Sequence, residues 1–243
     1  MSVDHWLRRL ERALEERERD RVPDPALAVG LVVLGPTVST AAIVVVVAGF
    51  LRVSGAPLDR AGDLAIPLGL LNLVASFAVV NAVLTYLVIR GTNFHLEWSE
   101  RFFRALIEVL YRAEVIPRRC YLAAIRKLEG LSGSGRMDES LWAVVGFLTL
   151  GLSCLYVLCR VYGRARRHEE REVAIVELLG EYLGSGVELR RRILREDVVA
   201  YALLALFLPP TYPLLVYRVF RDLNRHLNAH RRFERELVER VFS

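Results

Sequence analysis

Charge is missing from long stretches of this 243-residue chain. No Asp, Glu, Lys or Arg occurs in 25–51, 64–89, 140–159 or 198–217, although 25% of all residues are charged. Segregation this complete excludes an ordinary soluble domain, whose helices interleave apolar and charged positions, and excludes a disordered chain, which has no apolar runs. Glutamine is absent, methionine occurs twice, and Lys127 is the single lysine against 32 arginines. Few thermolabile side chains beside many ion-pairing groups is the composition expected of a thermophile protein. Cys120, Cys154 and Cys159 form no disulfide framework and no metal-ligand spacing. Also missing are a P-loop, a GxGxxG after a strand, HExxH, GxSxG and CxxC. Five histidines are too few for the His-rich membrane hydroxylases and desaturases. The expectation is therefore a non-enzymatic protein without a cofactor, with a metal-dependent membrane enzyme as the alternative.

What remains is long, apolar and helical. A helix crosses about 30 Å of hydrocarbon with roughly 20 residues, so the pattern predicts an all-α integral membrane bundle with four spans, 26–51, 64–89, 140–159 and 198–217. Tyr86, Trp142 and Tyr217 stand at window ends, where amphipathic rings favour the headgroup layer. Residues 1–24 are too charged for a cleavable signal peptide. They read as an amphipathic helix with Trp6, Leu7, Leu10 and Leu14 along one face, stopped by Pro23-Asp24-Pro25. With both termini cytoplasmic, four spans leave 22 of the 33 basic residues inside, as the positive-inside rule prefers. The nine arginines of 160–195 then face outward, against the rule. A re-entrant fourth window, broken by Pro209, Pro210 and Pro213, is the alternative.

The chain repeats itself at an offset of 131 residues. The stretch from Tyr86, YLVIRGTNFHLEWSERFFRALIE, matches that from Tyr217, YRVFRDLNRHLNAHRRFERELVE, at eleven of 23 positions. This predicts a tandem pair of two-span units, 25–129 and 137–243, joined by a Gly/Ser linker at 130–136. Each unit ends in a charged exit helix, 90–115 and 218–242. A short loop in the first unit corresponds to a long charged loop, 160–197, in the second.

The repeated residues are the first candidate site. Tyr86, Arg90 and Asn93, with Tyr217, Arg221 and Asn224 in the same register, are spaced for one helix face at headgroup height, a geometry suited to anionic lipid or a partner helix. Asn72, Ser76, Asn81 and Thr85 form i, i+4 pairs inside the second window. They read as interhelical hydrogen bonds, or as a polar pore lining. His226, His230 and Glu234 follow i, i+4, i+8 and are metal-ligand candidates; the first copy has Ser99 and Phe103 where His230 and Glu234 would be. Acids and bases interleave helix by helix, so the +5 net charge forms no nucleic-acid patch.

The third window, Leu141-Trp142, then Phe147-Leu148-Thr149-Leu150-Gly151-Leu152, then Tyr156 to Arg160, resembles a widespread prokaryotic membrane family of unknown function. The signature helix of that family runs Thr-x-Gly-Ile/Leu and then aromatics before a basic exit. Asp222-Leu223-Asn224 extends the likeness, and Ser153 and Cys154 stand where aromatics are expected. The resemblance implies a membrane location and no activity. The expectation is a cell-membrane scaffold or assembly subunit whose exit helices bind each other, a partner protein, a second copy or anionic lipid. A channel or transporter subunit lined by Asn72 and Asn81 is the alternative.

Overall fold

The computed structural model describes residues 3–16, 22–53, 58–132, 136–183 and 198–242, and their regular structure is entirely helical. In chain order the helices are α1 (Val3–Glu16), α2 (Pro25–Val53), α3 (Leu58–Arg112), α4 (Arg118–Ser132), α5 (Glu139–Leu148), α6 (Leu152–Leu183), α7 (Val198–Phe207) and α8 (Tyr212–Phe242), with a 3-10 turn at Pro209–Thr211. Two of them contain stretches long and apolar enough to cross a membrane, Pro25–Phe50 and Ala65–Arg112. They pack as an antiparallel pair whose small residues let the backbones approach: Gly35 meets Val80, and Gly69 meets Thr40 and Val44. Asn72 donates to Ser39 Oγ (2.7 Å), and Ser39 and Ser76 share a 2.7 Å hydrogen bond.

The other two uncharged windows are not spans, which corrects the four-span expectation. Window 140–159 breaks at Thr149–Gly151, where Leu150 (φ 52°) and Gly151 (φ 88°) turn left-handed. Window 198–217 breaks at the 3-10 turn, because Pro209, Pro210 and Pro213 have no N–H to continue the helical ladder. The ten-residue helices α5 and α7 are each about 15 Å long, half the thickness of a bilayer core.

Both breaks reverse the chain. Going up α3, Asn81, Thr85 and Asn93 meet Gly151, Gly146 and Met137 in turn, so α5 runs antiparallel to α3. On α6, Arg164 bonds to Asn93 and Glu172 to Ser99, so α6 runs parallel to α3. Trp142 and Tyr156 pack against each other across the hairpin so formed, 5.2 Å between centroids with the rings tilted by 31°. In the same way Arg218 of α8 lies over the Tyr201 ring of α7 (4.4 Å). Tyr212 meets Asn81 and His226 meets His95, which sets α8 parallel to α3. Helices α3, α6 and α8 therefore leave the apolar region side by side in one direction.

The charged loop expected at 160–197 is consequently helix as far as Leu183, the C-terminal half of α6; residues 184–197 lie outside the described residues. The first exit helix is the continuation of α3 to Arg112, not a separate element. The expected linker at 130–136 overlaps the end of α4, and 133–135 are not described.

Two buried clusters result. One joins α2, α3, α6, α7 and α8 through Val32, Leu84, Val88, Val157, Ala202 and Phe220. The other lies among the exit helices: Trp98, Phe102 and Leu106 of α3, Leu128 of α4, Val176 of α6 and Leu237 of α8, capped by Trp6 and Leu10 of α1. All but four of the exposed large apolar side chains among the described residues fall in the four uncharged windows; the exceptions are Val53, Val115, Leu122 and Tyr182.

The tip of the α5–α6 hairpin tolerates no side chain at Gly151. A Cβ there would lie 2.9 Å from Asn81 Nδ2, and the left-handed backbone costs an L-residue about 1–2 kcal/mol. Gly151→Ala is expected to cost about 2–4 kcal/mol with overpacking included. Gly30→Ala, with open space around its Cβ, should be neutral or slightly stabilising. Thermal unfolding of the two variants in detergent compares them directly.

Candidate metal centre

Each of the three parallel exit helices carries polar groups at helical spacing on its inward face. Helix α3 supplies His95 and Ser99, α6 supplies His168 and Glu172, and α8 supplies His226, His230 and Glu234. The i, i+4 interval stacks side chains one turn apart, so three such faces pointing at one axis make a compact polar core. Every one of these seven residues is at least 97% buried. Burying so many ionisable groups is costly unless they are paired or bind a cation.

The four imidazoles converge through Nε2. His95 Nε2 and His226 Nε2 are 3.2 Å apart. His168 Nε2 lies 2.8 Å from Glu172 Oε1, and His230 Nε2 lies 2.9 Å from Glu172 Oε2. Although these separations are short, His168 Nε2 and Glu172 Oε2 make no well-aligned hydrogen bond. His95, His226 and His230 place ligand atoms within 4.8 Å of one another, and so do His95, His168 and Glu172. His95 is common to both groups, with its ring 5.0–5.4 Å from the other three.

The spacing suits a coordination shell three donors at a time, His95 with His226 and His230 or His95 with His168 and Glu172. Bonds of about 2.1 Å put adjacent ligands roughly 3.0 Å apart around an octahedral ion and roughly 3.4 Å apart around a tetrahedral one. The short separations here, 2.8 to 3.2 Å, lie nearer the octahedral value. Four imidazoles and one carboxylate suit zinc, iron, nickel or copper better than calcium or magnesium.

The surroundings favour metal binding at two of the donors, His226 and Glu172. Burial pushes the His226 pKa well below its ordinary value, and the neighbouring His230 and His95 add to this, so the ring is neutral with a free lone pair. Burial alone would raise Glu172, but His168 and His230 hold it well below the usual carboxylate range, and it stays ionised. Ser99 donates to Glu172 Oε1. Glu234 Oε1 sits 3.6 Å from His230 Nδ1, where a carboxylate orients a metal-bound imidazole from behind.

No protein-family model, curated protein or solved structure matches this chain. The centre rests on its own geometry.

Of the residues singled out in the sequence, His226, His230 and Glu234 lie together in this core. The partners His95, His168 and Glu172 were missed. Ser99, noted only for breaking the repeat, is there too. The Tyr/Arg/Asn faces are not lipid-facing surfaces as wholes. Arg90 donates to Tyr86 Oη on its own helix (3.0 Å), and Arg221 lies over Tyr217 (5.9 Å). Asn93, however, is buried, donating to the Met137 carbonyl and accepting from Arg164, and Asn224 donates to the Pro23 carbonyl. Asn72 and Ser76 bond across to α2, while Asn81 accepts from Tyr212 of α8. Thr85 is buried near Gly146 of α5.

Proposed function

We propose that this is a membrane-anchored metal-binding protein, in which the exit helices α3, α6 and α8 hold one first-row transition-metal ion through His95, His168, Glu172, His226 and His230. The observation that carries this reading is the clustering of four of the five histidines of the chain, from three separate segments, in one buried site, where His168 and His230 meet Glu172 and His95 meets His226. Three of these donors at a time lie within 4.8 Å of one another, with His95 common to both triads, which leaves room in the shell for an exchangeable ligand.

Helices α2 and α3 form the membrane anchor, and the hairpins α5–α6 and α7–α8 dip into the bilayer and return. Two features support that placement: all but four of the exposed large apolar side chains among the described residues fall in the four uncharged windows, and the two short helices reach only about half-depth. Both termini and every exit helix then share the cytoplasmic side. The scaffold role expected from the repeat becomes secondary, since the paired faces of the exit helices are occupied by the centre and by the apolar cluster beneath it.

Metal analysis of full-length protein, purified in detergent without a polyhistidine tag, tests the function. About one equivalent of iron, zinc, nickel or copper per chain is expected, retained through dialysis. Substoichiometric metal after growth and reconstitution in each of these ions would overturn the reading.

A further inference from the structure

The tips of the two hairpins meet beside α2 and α3 and enclose a second site, far from the metal centre. Asn81 to His95 and Tyr212 to His226 are each fourteen residues along a helix, which is about 21 Å. Between the tips is a cavity of about 300 Å³, at the small end of ligand-site volumes. Val32, Phe77 and Leu155 form apolar walls, and among the described residues no charged side chain lines it. Leu150, Leu152 and Leu206 line it as well and are 52%, 64% and 50% exposed, so the cavity opens sideways on the face placed against lipid.

Its lining residues include backbone acceptors that lack their helical donors. Pro209 and Pro210 have no N–H to give the carbonyls of Ala205 and Leu206 four residues earlier, and all four of these residues line the cavity. The Tyr212 hydroxyl is turned away, donating to Asn81 and toward Cys154. Interrupted helices at mid-membrane survive where they line a cavity, and such breaks are recurrent ligand sites. A ligand that satisfies this one must be apolar, must donate a hydrogen bond, and must be neutral, because no counter-charge is present.

We propose that the cavity binds a long-chain alcohol dissolved in the membrane, its chain against Val32, Phe77 and Leu155 and its hydroxyl donating to the Ala205 or Leu206 carbonyl. This site depends on the membrane placement of the hairpins and is independent of the metal.

Full-length protein in phosphatidylcholine proteoliposomes, photolabelled with a diazirine-bearing long-chain alcohol and mapped by mass spectrometry, tests it. Label is expected to concentrate in 150–155 and 205–213. An unlabelled alcohol of the same length should reduce it at least fivefold, whereas its methyl ether, which cannot donate, should not. Ala205→Phe, which fills the cavity, should reduce the label similarly while helix content by circular dichroism stays unchanged. Equal competition by the ether, or label spread evenly along the lipid-facing sides of α2 and α3, would overturn the proposal without need of the variant.

Discussion

Replacing His226 by alanine is expected to weaken metal binding by at least two orders of magnitude and to abolish the thermal stabilisation that added metal gives the parent protein. The ring touches His95 through Nε2 and approaches His230, and burial keeps it neutral, so it donates a lone pair without first losing a proton. Loss of a residue that merely orients a ligand already costs roughly 10–100-fold in metal affinity. Loss of a ligand should exceed that, and Glu234→Gln, acting through His230, should fall within it. An ion that binds only the folded state at about a thousand times its Kd contributes about 4 kcal/mol. The parent Tm should therefore climb with metal concentration while that of the variant stays flat. His5→Ala is the control, since His5 packs edge-on against Trp6 of α1, outside the centre. The two outcomes are read from calorimetry of metal binding and from melting curves. Metal-dependent melting that persists in His226→Ala would place the ion elsewhere.

The centre was half legible in the sequence, and topology hid the rest. The i, i+4, i+8 run of His226, His230 and Glu234 was visible because one helix carries it. His95, His168 and His226 each lie six to nine residues beyond an apolar window, ending at Ile89, Cys159 and Tyr217, and so stand at similar height if all three helices leave on one side. Treating 140–159 as a span sent His168 and Glu172 to the opposite face and dissolved the cluster. The all-helical fold and the two long apolar helices followed from charge segregation alone, because a run without charges needs no partner to be recognised. The hairpin at Leu150-Gly151 left almost no such trace. An apolar turn at a helical tip carries none of the Asn, Asp and Ser that mark turns in water, and only Gly151, whose left-handed backbone a side chain would strain, records it. The prolines of the other tip were legible, and they pointed to the re-entrant geometry for the fourth window only. The 131-residue offset has a spatial counterpart in the Asn81–Tyr212 and His95–His226 pairs, while the two-span unit built around it does not recur.

Cysteine accessibility should separate the topologies by an all-or-none signal. In a chain with Cys120, Cys154 and Cys159 replaced by alanine, Val53→Cys and Arg166→Cys place single thiols at exposed positions, one at the end of α2 and one on the charged half of α6. Two spans with two re-entrant hairpins put Val53 outside and Arg166 inside, so an impermeant maleimide added to intact cells should label the first and reach the second only after permeabilisation. Four spans would expose both from outside. Charge favours the first arrangement. Of 33 basic residues, only Arg52 and Arg60 belong to the segment between the two long apolar stretches, so two spans leave 31 on the cytoplasmic side where four spans leave 22. The arginines of 160–195, which violate the positive-inside rule in a four-span chain, come to obey it by the same step that brings His168 and Glu172 to His95 and His226. Labelling of Arg166→Cys in intact cells would therefore remove the membrane placement and separate the exit helices that the metal centre requires.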